Sequence, residues 1–248
     1  MSPVILLGHG SPDPRSAAGL RSLARAVARR SGLVVHAAFL DHDEPGLTAV
    51  VQELTHDGHE RAIVVPAFLT SAYHVRSDIP RAVTHAQEST GLRLEVTAAV
   101  GPDPALLGAL DDRLPTGVPV LLACAGTRDP RAQRELADVA DQWSALRGTP
   151  VTVGHASMGT PDVTTALAEL AMRTDTRPVV ASYVLFPGVL ADRIQTAAAG
   201  YEVTEPIGDD AAAAVLARLN GPPRFATPTG PNLQSADGTS VLSTICPA

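Results

Sequence analysis

Residues 8–15 read GHGSPDPR, and residues 124–131 read CAGTRDPR. Asp13-Pro14-Arg15 therefore returns as Asp129-Pro130-Arg131, 116 positions on. Three further blocks return in the same order. FLDHDEPGLTAVVQEL (39–54) becomes HASMGTPDVTTALAEL (155–170), again 116 positions on. AIVVPAFLTSAYHVRSDI (62–79) becomes RPVVASYVLFPGVLADRI (177–194) with a one-residue gap, and GPDP (101–104) becomes GDDA (208–211). A chain that repeats over this length builds one arrangement of elements twice.

Within the first copy, apolar runs alternate with helical patterns. Residues 4–7, 33–40, 62–69 and 92–100 read as strands, and 16–30, 46–55, 79–88 and 104–114 as helices. In the first helix Leu20, Leu23, Ala24 and Val27 share one face. Strands joined through helices of this length imply right-handed crossovers and a parallel sheet. The expected fold class is α/β, as two similar open parallel-sheet domains from internal duplication. Their expected bounds are 1–115 and 116–220, with residues 221–248 a Pro-, Gly- and Ser-rich tail without periodicity.

Composition narrows the partners. The hydrophobic fraction of 45% suffices for a core, while the 3% of aromatic residues leads us to expect aliphatic walls, Leu69, Val75, Leu185 and Val189, around any ligand. The net charge of −7 argues against a nucleic-acid partner. Two cysteines make no disulfide framework, and the N-terminus lacks a signal-peptide pattern, so a cytoplasmic protein is expected. No apolar run approaches the roughly 20 residues that span a bilayer, so no membrane partner is expected. A two-copy chain can enclose a cleft by itself, which makes a monomer plausible.

The differences between the copies point to function. His9 becomes Ala125, Asp41 becomes Ser157, and His74 becomes Val189 or Leu190. The second copy keeps the scaffold and drops three polar groups together. All three follow strands, and in an open parallel sheet ligands bind at the carboxyl ends of strands. If the first strand lies between the second and third, these residues meet on one edge. Two imidazoles and a carboxylate can hold a divalent metal with open positions, or accept protons near neutral pH. GHGS could also cradle a phosphate, but it lacks the GxGxxG spacing and the P-loop lysine, so no nucleotide is expected. A Ser11 nucleophile is disfavoured because the G-x-S-x-G elbow is missing. His42 is near the site with no assigned role. His56 and His59 fall on the opposite edge, and His36, His85 and His155 read as structural.

These motifs resemble the class II chelatases of tetrapyrrole biosynthesis, specifically the sirohydrochlorin chelatases in a two-copy form. The resemblance is carried by Gly8-His9-Gly10-Ser11, by Phe39-Leu40-Asp41 with Glu44-Pro45, and by Val65-Pro66 through His74 to Asp78-Ile79-Pro80. It implies ATP-independent insertion of a divalent metal, Fe²⁺ ahead of Co²⁺, into sirohydrochlorin for sirohaem or cobalamin synthesis. It implies His9, His74 and Asp41 as the catalytic and metal-binding groups. Related sequences usually carry Glu where Asp41 stands, so Glu44 is the second candidate for the acid. The substrate has eight carboxylates, so cleft cations are expected, with Arg15, Arg76, Arg128 and Arg131, beside Ser11, as candidates. A non-catalytic carrier of tetrapyrrole or metal is the alternative reading.

Overall fold

The structure, a computed structural model, describes residues 2–70 and 77–221. His74, Val75, Arg76 and all of the proposed tail beyond Gly221 lie outside the described residues. The strands are β1 (Val4–Gly8), β2 (Val35–Phe39), β3 (Arg61–Pro66), β4 (Arg93–Val96), β5 (Val120–Gly126), β6 (Val151–Met158) and β7 (Val179–Tyr183). The helices are α1 (Pro14–Ser31), α2 (Leu47–His56), α3 (Ile79–Thr90), α4 (Pro104–Asp111), α5 (Pro130–Arg147), α6 (Val163–Met172), α7 (Val189–Ala197) and α8 (Ala212–Leu219).

Two open parallel sheets result, in the orders β2-β1-β3-β4 and β6-β5-β7. The first strand of each half is central, as the edge argument needs. Three strands are shorter than the apolar runs that encode them. The run at 62–69 leaves the ladder after Pro66, where Phe68 N–H turns back onto the Pro66 carbonyl at 3.0 Å. The ladders also revise the alignment of the copies. Val4 pairs with Ile63 and Val120 with Val179, so the third strands match at 116 positions and not 115. Tyr183 is thereby the counterpart of Ala67, not of Phe68.

The two halves start their first helices in the same way. Asp13 and Asp129 accept from the backbone N–H of Arg15 and Arg131, and the prolines between them take the first helical positions, where no N–H is needed. Gly32 and Gly148 close those helices in the left-handed region, at φ 70° and 66°.

Strand side chains alternate between faces, and this sorts the core. Ile5, Leu7 and Val64 face α2 and α3, and Leu121, Ala123 and Val180 face α6 and α7. Val4, Leu6, Val120, Leu122 and Tyr183 instead join one core with α1, α4, α5 and α8. That core belongs to both halves. Its margins are bonded reciprocally. Arg113, just past α4, donates to the carbonyls of Glu205, Pro206 and Ile207 and pairs with Asp210. Arg218, in α8, donates to the carbonyls of Ala99, Val100 and Pro102 and pairs with Asp103 at 2.9 Å. Trp143 and Arg147 of α5 reach back to Asp111 of α4. The sheets are thus held at a fixed separation, and a cleft opens between their carboxyl ends.

Candidate active site

The GHGS turn is fixed by the loop after β2. Leu40 N–H donates to the Gly8 carbonyl (3.0 Å), Asp41 N–H to the His9 carbonyl (2.8 Å), and Ser11 N–H to Asp43 Oδ2 (2.9 Å). Gly10 has φ 91°, and a Cβ there would lie 1.7 Å from the Asp41 carbonyl oxygen. Only glycine allows the two loops to approach this closely. His9 is thereby presented on a turn that cannot drift. Its Nδ1 lies 3.3 Å from the Gly10 carbonyl, which accepts in the tautomer where Nε2 carries the lone pair.

His9 and Ser11 line a cleft of about 500 Å³ between the sheets. Its walls match across the duplication: Gly8 with Cys124, His9 with Ala125, Ser11 with Thr127, Leu20 with Leu136, and Ala67 with Tyr183. Ser11 Oγ accepts from Asp13 N–H, and Thr127 Oγ1 accepts from Asp129 N–H, both at 3.1 Å. These hydroxyls hold helix starts, which accounts for Ser11 without a nucleophilic role.

The walls differ from the composition argument. Leu69, Leu185 and Val189 line the cleft as expected, but so do Phe39, Phe68, Phe186 and Tyr183. Three of the chain's four phenylalanines stand here. Aromatic residues are scarce overall and gathered at the ligand edge, a signal visible in the sequence as aromatic residues at the ends of apolar runs. Gly19 on α1 makes room for one of them, since a Cβ there would lie 2.6 Å from the Phe186 ring.

The polar candidates divide. Asp41 does not line the cleft. Its side chain is 66% exposed and turns back on its neighbour, accepting from His42 N–H at 2.8 Å with Oδ2 3.5 Å from His42 Nε2. Glu44 accepts from Gly46 N–H at 3.0 Å ahead of α2. His42, left without a role in the sequence, adopts φ 62° and sets its ring 6.2 Å from that of His9, at 30°. Among the described residues, no three His, Cys, Asp or Glu side chains gather as a metal cluster.

Of the arginines expected at the cleft, the three among the described residues do not line it. Arg15 is bound between Asp13 and Asp192, each at 2.6 Å, and so ties α1 to α7 across the rim. Its guanidinium pulls the Asp13 carboxyl below the ordinary range. Arg128 and Arg131 are exposed, and neither lines the cleft. In the floor, burial pushes both the Cys124 thiol and the Tyr183 phenol up, so both stay protonated.

A family model described as CbiX matches residues 3–116 and again 119–220. The chain belongs to the CbiX family. A sirohydrochlorin cobaltochelatase of Methanosarcina barkeri is 32% identical over 89 residues, which is 36% of this chain and 68% of that protein. The chloroplastic sirohydrochlorin ferrochelatase of Arabidopsis thaliana is 28% identical over 113 residues, 45% of this chain and 50% of that one. SirB of Bacillus subtilis, solved with Fe³⁺, superposes with a TM-score of 0.73 at 23% identity, covering 89% of this chain and 95% of that one. The CbiX fold thus accounts for both sheets and for the cleft between them. Among the described residues no helix is long and apolar enough to cross a membrane.

Proposed function

We propose that this CbiX-family chain is a sirohydrochlorin chelatase, a lyase that inserts a divalent metal into the macrocycle without a nucleotide. The observation that carries this reading is His9, held on a rigid turn at the wall of an apolar, aromatic-rich cleft. Relatives named for the same substrate support it. Fe²⁺ is the favoured metal and Co²⁺ the next. We read residues 1–115 as the domain bearing the metal groups, 116–220 as the degenerate copy, and 221–248 as a tail.

Insertion requires the metal to shed water, two pyrrole protons to leave, and one face of the ring to stay open. Imidazole suits the first two needs, because one nitrogen can ligate the metal or accept a proton. His9, with His74, which follows β3 in the sequence, takes this role at the ring centre. Asp41 remains the leading acid and Glu44 the second. As folded, Asp41 orients His42 against His9, and a rotation about its side-chain bonds would be needed for it to meet a metal. Phe39, Phe68 and Phe186 give the macrocycle flat apolar surface. Arg15, Arg76, Arg128 and Arg131 remain the candidates for its carboxylates, and Arg15 would have to leave Asp13 or Asp192 to receive one.

The test is anaerobic. Purified protein is mixed with sirohydrochlorin and Fe²⁺ or Co²⁺, and the ring's absorbance is followed against a protein-free control. Catalysed insertion is expected with both metals, faster with Fe²⁺. Tight binding without any acceleration would favour the carrier reading, and no binding would remove both.

A further inference from the structure

Among the described residues, His42 is the one residue other than glycine whose backbone lies in the left-handed region, at φ 62°. That conformation costs a histidine more than it costs an asparagine or a glycine. It is held from both sides. Ahead of it Asp41 N–H donates to the His9 carbonyl, and behind it Asp43 N–H donates to the Asp41 carbonyl while Asp43 Oδ2 accepts from Ser11 N–H. The loop is thus fastened to the turn that carries His9, and the two imidazoles stand 6.2 Å apart at 30°. Asp41 adds a further constraint, its Oδ1 accepting from His42 N–H and its Oδ2 standing 3.5 Å from His42 Nε2. The second half drops the set as a unit, with Ala125, Ser157 and Met158 in the places of His9, Asp41 and His42.

The arrangement has the chemistry of a metal site. A ligating histidine ordinarily turns its other ring nitrogen to a carboxylate, which fixes the ring and sets the tautomer. Asp41 beside Nε2 favours the proton there and so leaves the His42 lone pair on Nδ1. His9 carries its lone pair on Nε2 when Nδ1 donates to the Gly10 carbonyl. An ion about 2.1 Å from two imidazole nitrogens keeps the ring centres roughly 4.5–6.4 Å apart, from a right-angled to a linear arrangement, and 6.2 Å falls within that span. Position adds a direction. His9 lines the cleft, whereas His42 does not and is 43% exposed. The pair therefore spans the rim between water and the ligand edge. We propose that His9 and His42 form a loading site for a divalent transition-metal ion, filled from solvent before the macrocycle is seated, with water in the remaining positions and Asp41 positioning His42. The inference rests on the chelatase reading for the ion's fate, while the site itself is open to test without a macrocycle.

Co²⁺ is titrated into the full chain by calorimetry without sirohydrochlorin, X-ray absorption at the cobalt edge counts the imidazole ligands, and insertion kinetics are run separately. The variants are His42→Asn, which suits the left-handed backbone, His9→Ala and Asp41→Asn. Expected are rises in the Co²⁺ Kd of about 30-fold for either histidine variant and about 10-fold for Asp41→Asn. Each histidine variant should show one imidazole fewer, and Asp41→Asn should keep the count. His42→Asn should raise the KM for metal about 10-fold and hold the KM for sirohydrochlorin within about 2-fold. An unchanged Kd and imidazole count in His42→Asn would overturn the proposal, as would wild type that binds Co²⁺ only when the macrocycle is present. A Kd raised further by Asp41→Asn than by His42→Asn would overturn the positioning role of Asp41. Wild type that binds Co²⁺ through both imidazoles and accelerates no insertion would bring down the chelatase reading and leave the loading site standing.

Discussion

The two walls of the cleft share a backbone and differ in chemistry. Gly10 and Gly126 hold the same left-handed turn, at φ 91° and 97°, each pressed against a carbonyl at the end of the neighbouring strand, that of Asp41 just past β2 and that of Met158 closing β6. The residue ahead of each glycine decides what the turn offers: His9 on one side, Ala125 on the other. The other substitutions run along the same division. Asp41 and His42 stand where the second half has Ser157 and Met158, while Tyr183 stands where the first half has Ala67. On the reading proposed above, metal chemistry falls to the first wall, and the second wall gives the cleft its shape.

The comparison breaks most readily at the histidine. His9→Ala should lower metal insertion by at least about 100-fold, the scale of losing a positioned acid–base group, with the ultraviolet circular dichroism unchanged. Ala125→His should alter the rate by less than about 2-fold, because no second histidine or acid accompanies it. A second-half histidine that rescued His9→Ala would dissolve the distinction.

The reciprocal arginines offer the next test. Each donates to three carbonyls, but Asp103 beside Arg218 is 11% exposed, whereas Asp210 beside Arg113 is 58% exposed. Removing the partner of a buried charge costs more than removing that of a solvated one. Chemical denaturation should place Arg218→Met about 3 kcal/mol below wild type and Arg113→Met about 2 kcal/mol below, with the gap set by the acid left behind.

Gly10→Ala and Gly126→Ala should each cost about 2 kcal/mol, since a Cβ at either site meets a backbone carbonyl. Activity is the sharper readout. Only Gly10→Ala should also depress kcat at saturating substrate, because only that turn carries an imidazole.

The smallest effect concerns Phe39 and His155, which occupy equivalent places in β2 and β6. His155 is 5% exposed, and its Nδ1 has no hydrogen-bond partner among the described residues. Burial pushes its pKa below the ordinary 6.5. A base depressed in the folded state takes up its proton more readily when unfolded. Its contribution is therefore whole above pH 6.5 and is lost as the pH falls below that value. His155→Phe, copying the first half, should flatten the decline of melting temperature between pH 6.5 and 5. Parallel declines in both proteins would contradict this account.

Much of the architecture is legible in the sequence because it is encoded locally. Asp13-Pro14-Arg15 and Asp129-Pro130-Arg131 spell two helix starts, and alternating apolar runs spell the sheets. The central position of β1 follows from that alternation once strand ends are taken as the ligand edge. His9 is legible for a different reason, since a duplicated scaffold marks what the scaffold can do without. Other features depend on partners far along the chain. Arg15 is paired by Asp192, and Arg218 binds the carbonyls of Ala99 to Pro102, neither of which has a local signature. The direction of Asp41 follows from the φ 62° turn at His42, a side-chain choice that no spacing rule contains. The aromatic wall was obscured by averaging, because a 3% content says nothing about where the few rings gather.

The division of labour between the walls is tested most directly by locating the metal. Crystals soaked with Co²⁺ and measured at the cobalt absorption edge would show its position without ambiguity of element. The account predicts one cleft site, bonded to the His9 imidazole at roughly 2.0–2.3 Å, with nothing on the Ala125 side. Cobalt held by second-half residues, with His9 uninvolved, would contradict it.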